Sequence, residues 1–144
     1  MKNSVSVIIV NYNGRDLLEE CMPSILEACS FSNLTYEIIV VDNASRDDSI
    51  DFLKQAYPSV IILPMKTNAC WFSINDGIKN SSYDPVFLLN NDIKLDKFCI
   101  NHLFEHFKKD DGTLFAVTPK EMGWDGGAYT KGAQGIAIKN EAFY

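Results

Sequence analysis

Apolar residues along the chain come in short, dense runs separated by polar clusters. The first run is residues 4–10, SVSVIIV, β-branched and nearly continuous. Such a run predicts a strand buried on both faces. It stops at Asn11-Tyr12-Asn13-Gly14, which is turn chemistry. Over 15–28 the pattern changes. Leu17, Leu18, Cys21, Ile25 and Leu26 recur at helical spacing, and Asp16, Glu19, Glu20 and Glu27 take the other faces. The alternation then repeats. Residues 37–41 (EIIVV) predict a second buried strand, ending at Asp42-Asn43-Ala44-Ser45, and 47–56 a helix with Ser45 as its N-cap. A third short strand is expected over 60–63, closed by Pro64, and a short helix over 73–79. Residues 85–89 (PVFLL) read as another buried strand, Asp96 as the cap of a helix running to 108, and 114–118 (LFAVT) as one more strand.

Strand and helix alternating across short connections specify an α/β fold, a mostly parallel sheet flanked by helices. The 144 residues suit one domain, spanning 1–144. No internal repeat or linker breaks it. Residues 120–144 differ: Gly123, Gly126, Gly127, Gly132 and Gly135 crowd together, which suggests hairpin turns or a mobile tail.

Composition narrows the classes. With 47% hydrophobic and 22% charged residues, wholesale disorder is excluded. No apolar run reaches the roughly 18 residues a membrane-spanning helix needs. The N-terminus leads straight into a β-like run without the apolar core of a signal peptide. A soluble, cytoplasmic protein is expected. The net charge of −6 argues against a nucleic-acid partner, which requires a clustered Lys/Arg surface. Cys21, Cys29, Cys70 and Cys99 form no CxxC pair, so a zinc ribbon or thioredoxin-type motif is unsupported and reduced thiols are expected.

In an open parallel sheet, ligands bind at the carboxyl ends of the strands. The polar residues collect there. Strand one delivers Asn11, Tyr12 and Asn13, strand two Asp42, Asn43 and Ser45, and the strand near residue 88 Asn90, Asn91 and Asp92. One such cluster is ordinary turn chemistry; three together point to a site. GxGxxG, GxxxxGK[ST] and GxSxG are all missing from the sequence, which disfavours dinucleotide, P-loop and α/β-hydrolase sites. Asp92 beside two amides suits a hard divalent ion, magnesium or manganese, whose shell is completed by phosphate oxygens. A phosphorylated ligand follows. His102 and His106 stand four apart on a predicted helix but in the order HLFEH, and read as a surface stripe. Trp71 and Trp124 offer faces that could stack on a sugar or a base.

The succession SVIIVNYN, EIIVVDNASRDDS and FLLNNDIKLD resembles the nucleotide-binding half of family 2 glycosyltransferases with the GT-A fold, over roughly residues 4–120. The combination is specific where either piece alone is weak. The resemblance implies transfer of a sugar from a UDP-, dTDP- or GDP-sugar donor to a hydroxyl of a saccharide or lipid-linked acceptor, in cell-surface polysaccharide synthesis. It places Tyr12 near the base and gives Asp42 a hydrogen bond from it. Asn68 and Asn75 match the asparagines of an N-x-G-x(4)-N stretch near the nucleotide. Asn90-Asn91-Asp92 stands where the family carries its D-x-D metal motif, with Asp92 the metal ligand. The enzyme would work in the cytoplasm, at the inner face of the membrane.

Three departures accompany the match. Asn90 replaces the leading Asp of D-x-D. Cys70 replaces the expected Gly, followed by the bulky Trp71 and Phe72. The chain ends at Tyr144, where family members continue into the acceptor site and the general base, so no catalytic base is nominated among Asp110, Asp111, Asp125 and Glu141. The alternative is a non-catalytic nucleotide-sugar-binding module or a degenerate fragment. An uncovered apolar sheet edge would favour a homodimer.

Overall fold

The computed structural model describes residues 3–109, 112–119 and 122–123. They divide between Lys97 and Phe98 into two compact units. The first unit is built on four strands: β1 (Ser4–Asn11), β2 (Thr35–Asp42), β3 (Ile61–Pro64) and β4 (Val86–Asn90). All pair in parallel, in the order β3-β2-β1-β4. The helices are α1 (Arg15–Phe31), α2 (Ser49–Ala56) and α3 (Ile74–Lys79), the last preceded by a 3-10 turn over Cys70–Ser73. The second unit carries α4 (Cys99–Lys108).

The two central strands are the two densest β-branched runs. Val7, Ile8 and Ile9 of β1 and Ile39, Val40 and Val41 of β2 are wholly buried. A central parallel strand has no wet face, so apolar residues occupy both parities. Helix α1 buries one stripe, Leu18, Cys21, Met22, Ile25, Ala28 and Cys29, at the three- and four-residue spacing that keeps a helix face together. Helix α3 lies against the sheet at Gly77, where a Cβ would stand 2.5 Å from Ile8 Cγ2 and 3.0 Å from Val41 Cγ2. Ile8, Ile39 and Val41 form a core there with Ile74, Leu63, Met65 and Val86 around them.

Four local expectations are corrected. Ser45 does not cap α2; Asp48 stands at the N-cap, and the carboxylate that takes the Ser49 backbone N–H, at 3.2 Å, is Asp47. Ser45 is drawn away into contacts with the β1–α1 loop. Asp96 does not cap α4, whose N-cap position is Phe98. The strand over 85–89 is not uniformly buried. As β4 it borders only β1 among the described strands, and Leu89 alone is buried while Leu88 is exposed. Finally, 114–118 forms no strand among the described residues and Phe115 is exposed. An apolar run becomes a strand only where a neighbour supplies ladder partners. The glycine-rich stretch of 120–144, apart from Met122 and Gly123, lies outside the described residues, as do Trp124, Asp110, Asp111, Asp125 and Glu141. No described helix is long and apolar enough to cross a membrane.

Candidate functional site

Strand register brings the polar clusters level. Asn11 pairs with Asp42, and Val10 with both Val41 and Asn90, so β1, β2 and β4 end side by side. Above these ends lies a cleft of about 310 Å³ lined by Val10, Tyr12, Asn43, Asn68, Cys70, Trp71, Asn90, Asn91 and Asp92. Six of the eleven residues expected at the site therefore line it: Tyr12, Asn43, Asn68, Asn90, Asn91 and Asp92.

Four more lie outside that lining: Asp42 and Asn11 are buried behind it, while Asn13 and Ser45 join the loops beside it. Asp42 is fully buried; its Oδ2 accepts from Asn11 Nδ2 at 2.9 Å and its Oδ1 from the Ser45 N–H at 2.9 Å. The resemblance gives Asp42 a hydrogen bond from the base; here its side chain is buried behind the cleft lining, with one hydrogen bond on each oxygen. Asn11, also fully buried, accepts from Asn91 Nδ2 at 2.7 Å. Asn13 and Ser45 tie two loops together. The Asn13 N–H donates to Ser45 Oγ at 2.8 Å, and Asn13 Oδ1 accepts the Arg46 N–H at 2.8 Å. Asn13 adopts φ +48°, a conformation asparagine tolerates better than most residues. Asn75 is different: it is exposed on α3 and stands outside the cleft lining.

Asn43 is the polar residue with most to say. It is 1% exposed, donates from Nδ2 to the Cys70 carbonyl at 3.0 Å, and leaves Oδ1 buried without a partner among the described residues. A buried orphan acceptor costs about 1–3 kcal/mol. Such a group in a cleft wall is explained by a ligand that brings a donor.

Cys70 and Gly14 are the two positions whose role sequence reasoning missed. Cys70 takes φ +50°, the left-handed region where a side chain costs about 1–2 kcal/mol. Asn68 Oδ1 accepts its N–H at 2.8 Å, while Asn43 Nδ2 and Ser73 Oγ, the latter at 2.8 Å, both donate to its carbonyl. That clamp turns Trp71, 60% exposed, into the cleft lining. The signal was the cysteine standing where the resemblance expects glycine. At Gly14, a Cβ would collide with Asn91 Nδ2 and come within 2.5 Å of Asn11 Oδ1, so the turn after β1 leaves room for the pair of amides above it.

Beyond the cleft, Glu37 sits at the opposite end of the sheet. Burial pushes its pKa up, but hydrogen bonds from Ser6, Ser82 and the Tyr83 N–H outweigh that and hold it below the ordinary glutamate value. Arg15, at the start of α1, pairs with Glu19 and lies 4.5 Å over the Phe52 ring.

An open parallel sheet with a polar cleft at its carboxyl edge is the arrangement in which α/β proteins bind their ligands. Among solved structures, the chain is similar to the mannosyltransferase PcManGT from Pyrobaculum calidifontis in complex with GDP-Man and Mn2+, with TM-score 0.66, 18% identity, and coverage of 79% of this chain and 34% of that one. It is similar also to S. aureus TarS 1-349 in complex with UDP-GlcNAc, with TM-score 0.63, 19% identity, and coverage of 76% and 32%. These likenesses establish the fold as that of GT-A glycosyltransferases. In sequence it is 32% identical over 143 residues to a dolichol-phosphate mannosyltransferase of Pyrococcus furiosus, covering 97% of this chain and 36% of the relative. The Glycosyl transferase family 2 profile matches residues 6–142, and the chain belongs to that family. It spans less than half the length of these curated relatives, from 14% to 46%.

Proposed function

We propose that the cleft binds the nucleotide diphosphate of a sugar donor, and that the chain is the donor-binding part of a glycosyltransferase passing the sugar to a hydroxyl acceptor in cell-surface polysaccharide synthesis. The observation that carries this reading is the meeting of Tyr12, Asn43, Asn68, Asn90, Asn91 and Asp92 in one cleft at the carboxyl edge of a family 2 fold. Asn43 Oδ1 accepts an N–H of the base in place of Asp42, and Tyr12 and Trp71 supply faces for base and sugar. The donor is a UDP-, dTDP- or GDP-sugar, and the acceptor a saccharide or lipid-linked saccharide. The work is cytoplasmic, at the inner face of the membrane. Two copies associating along an edge strand, β3 where Ile61 is exposed or β4 where Leu88 is exposed, complete the reading; sedimentation as a monomer at every concentration would remove that part.

A divalent cation fits these residues only weakly by themselves. Asp92 is the one carboxylate among the described residues lining the cleft, and no described group of three or more His, Cys, Asp or Glu is placed to hold an ion. The remaining candidates are amide oxygens of Asn90 and Asn91. This oxygen-only set suits manganese or magnesium arriving with a diphosphate that supplies the other ligands. Bound there, the ion would offset the charge that gathers on the departing diphosphate.

The test is calorimetric titration of UDP, dTDP and GDP, each with and without manganese. One nucleotide is expected to bind at least tenfold more tightly with the metal, and Asp92→Ala to erase that gain. Failure of all three to bind refutes the donor reading. A binding module without catalysis is the second reading, favoured by Asp92 being the only carboxylate of the described lining. Binding without sugar release to any acceptor, in the 144-residue chain, would select it.

A further inference from the structure

We propose that Asp42, Asn11 and Asn91 form a polarised relay across three strands that fixes which way the Asn91 amide faces, so that its oxygen is presented to a divalent cation carried by the donor's diphosphate. The inference rests on the donor-cleft reading for the identity of that cation. Its geometry does not.

The relay begins at a group with no freedom. Asp42 is fully buried and its Oδ1 takes the Ser45 backbone N–H at 2.9 Å. Its Oδ2 then accepts from Asn11, at 2.9 Å, which requires Asn11 to turn its NH2 toward β2. Ser45 Oγ lies 3.3 Å from the same NH2 and reinforces that orientation. Asn11 must therefore turn its carbonyl oxygen the other way. That oxygen accepts from Asn91 Nδ2 at 2.7 Å, which in turn commits the Asn91 NH2 inward. An amide has one donor end and one acceptor end. With Nδ2 committed to Asn11, Asn91 has Oδ1 left for the cleft it lines beside Asp92.

Gly14 locks the junction. The space a Cβ would need at Gly14 is occupied by Asn91 Nδ2 and Asn11 Oδ1, the two atoms of that central bond. Asp42 is thus a positioning residue acting through two amides, and Asn91 supplies an acceptor beside Asp92.

Asp42→Asn tests the polarity without removing volume. The introduced amide must keep its oxygen toward the Ser45 N–H, so it offers an NH2 to Asn11. Asn11 then flips, Asn91 flips after it, and an NH2 replaces the oxygen in the cleft. The double variant Asn11→Asp/Asp42→Asn restores the original sense, because the carboxylate introduced at position 11 accepts from both Asn91 and the new amide at position 42. Two readouts apply to the 144-residue chain. In 15N-labelled protein without ligand, the Asn91 side-chain NH2 is expected to exchange slowly in the wild type, at least tenfold faster in Asp42→Asn, and slowly again in the double variant. In calorimetry, the gain in nucleotide affinity on adding manganese is expected to be lost in Asp42→Asn and recovered in the double variant. Unaltered Asn91 exchange in Asp42→Asn overturns the relay, whether or not any nucleotide binds. Flipped exchange with an undiminished manganese gain overturns the role assigned to the Asn91 oxygen. If the wild type binds no nucleotide, the donor-cleft reading fails together with the cation role, and the exchange data alone decide the relay.

Discussion

Gly77→Ala sets a helix preference against a packing clash, and the structure decides which prevails. Alanine is favoured over glycine inside a helix by about 1 kcal/mol, so propensity alone calls the change stabilising. The new methyl would stand 2.5 Å from Ile8 Cγ2 and 3.0 Å from Val41 Cγ2, against a comfortable carbon–carbon separation of about 3.5–4.0 Å. Neither neighbour can yield easily. Both are wholly buried, and each lies in a strand paired on two sides, Ile8 with Ile39 and Leu88, Val41 with Val10 and Leu63. Forcing a methyl into so close a contact costs about 1–3 kcal/mol. The expected net effect is destabilisation by about 1 kcal/mol, which for a domain of this size lowers Tm by about 3–6 °C. Urea unfolding followed by circular dichroism should show a lower midpoint with an unchanged slope.

The same substitution should weaken nucleotide binding, since α3 is continuous with the 3-10 turn that carries Cys70 and Trp71 into the cleft. In an Ile8→Ala background the sign should reverse, because the obstructing methyl is gone. A midpoint equal to or above the wild type in the Ile8 protein would refute the packing argument and show that α3 can slide over the sheet without loss.

Other outcomes follow from single groups. Asn43→Leu removes a buried orphan oxygen along with one hydrogen bond to Cys70, two effects of about 1–3 and 1 kcal/mol that oppose each other; thermal stability should hold within about 1 kcal/mol while nucleotide affinity falls at least tenfold, and unchanged affinity by calorimetry would remove Asn43 from the site. Glu37 has its folded pKa held below the ordinary 4.5, so it contributes stability above the unfolded value that is lost as pH falls through the lower folded value. Urea midpoints should drop as pH goes from about 6 to 3, Glu37→Gln should flatten part of that slope, and an identical slope in the variant would discount the contact. Among the thiols, Cys70 is exposed whereas Cys29 is buried with its pKa pushed up to about 12. A thiol reagent at about pH 8 should modify Cys70 well before Cys29, and nucleotide with manganese should slow that reaction; mass spectrometry showing Cys29 labelled first would contradict the burial order.

How much of this was legible beforehand depends on what a linear pattern can encode. The central strands β1 and β2 were readable because a strand buried on both faces must be apolar at both parities, and SVSVIIV and EIIVV are. PVFLL has the same texture, yet β4 borders only β1 and leaves Leu88 exposed, since a run of apolar residues does not state how many neighbours it will have. The caps failed for a related reason. Ser45 and Asp96 have capping chemistry, but Ser45 found Asn13 and Asp42 at the sheet edge, and a partner far away in the chain, as Asn13 is, carries no local signal.

The site divides along the same line. Asn11, Asp42 and Asn90 look alike in the sequence, each the first polar residue after an apolar run. Their fates differ because side chains alternate with a period of two and paired residues in register share a face. Val10 pairs with Asn90, and both line the cleft; Asn11 pairs with Asp42, and both lie behind it. One residue of slippage between β1 and β4 would exchange those roles. The sequence could therefore nominate the residues of the site but not their depth. The separation into an outer layer that lines the cleft and an inner layer bonded behind it exists only once the register is set. Asp42, the most conspicuous carboxylate of the motif, is accordingly buried behind the lining and bonded to Asn11, which in turn accepts from Asn91.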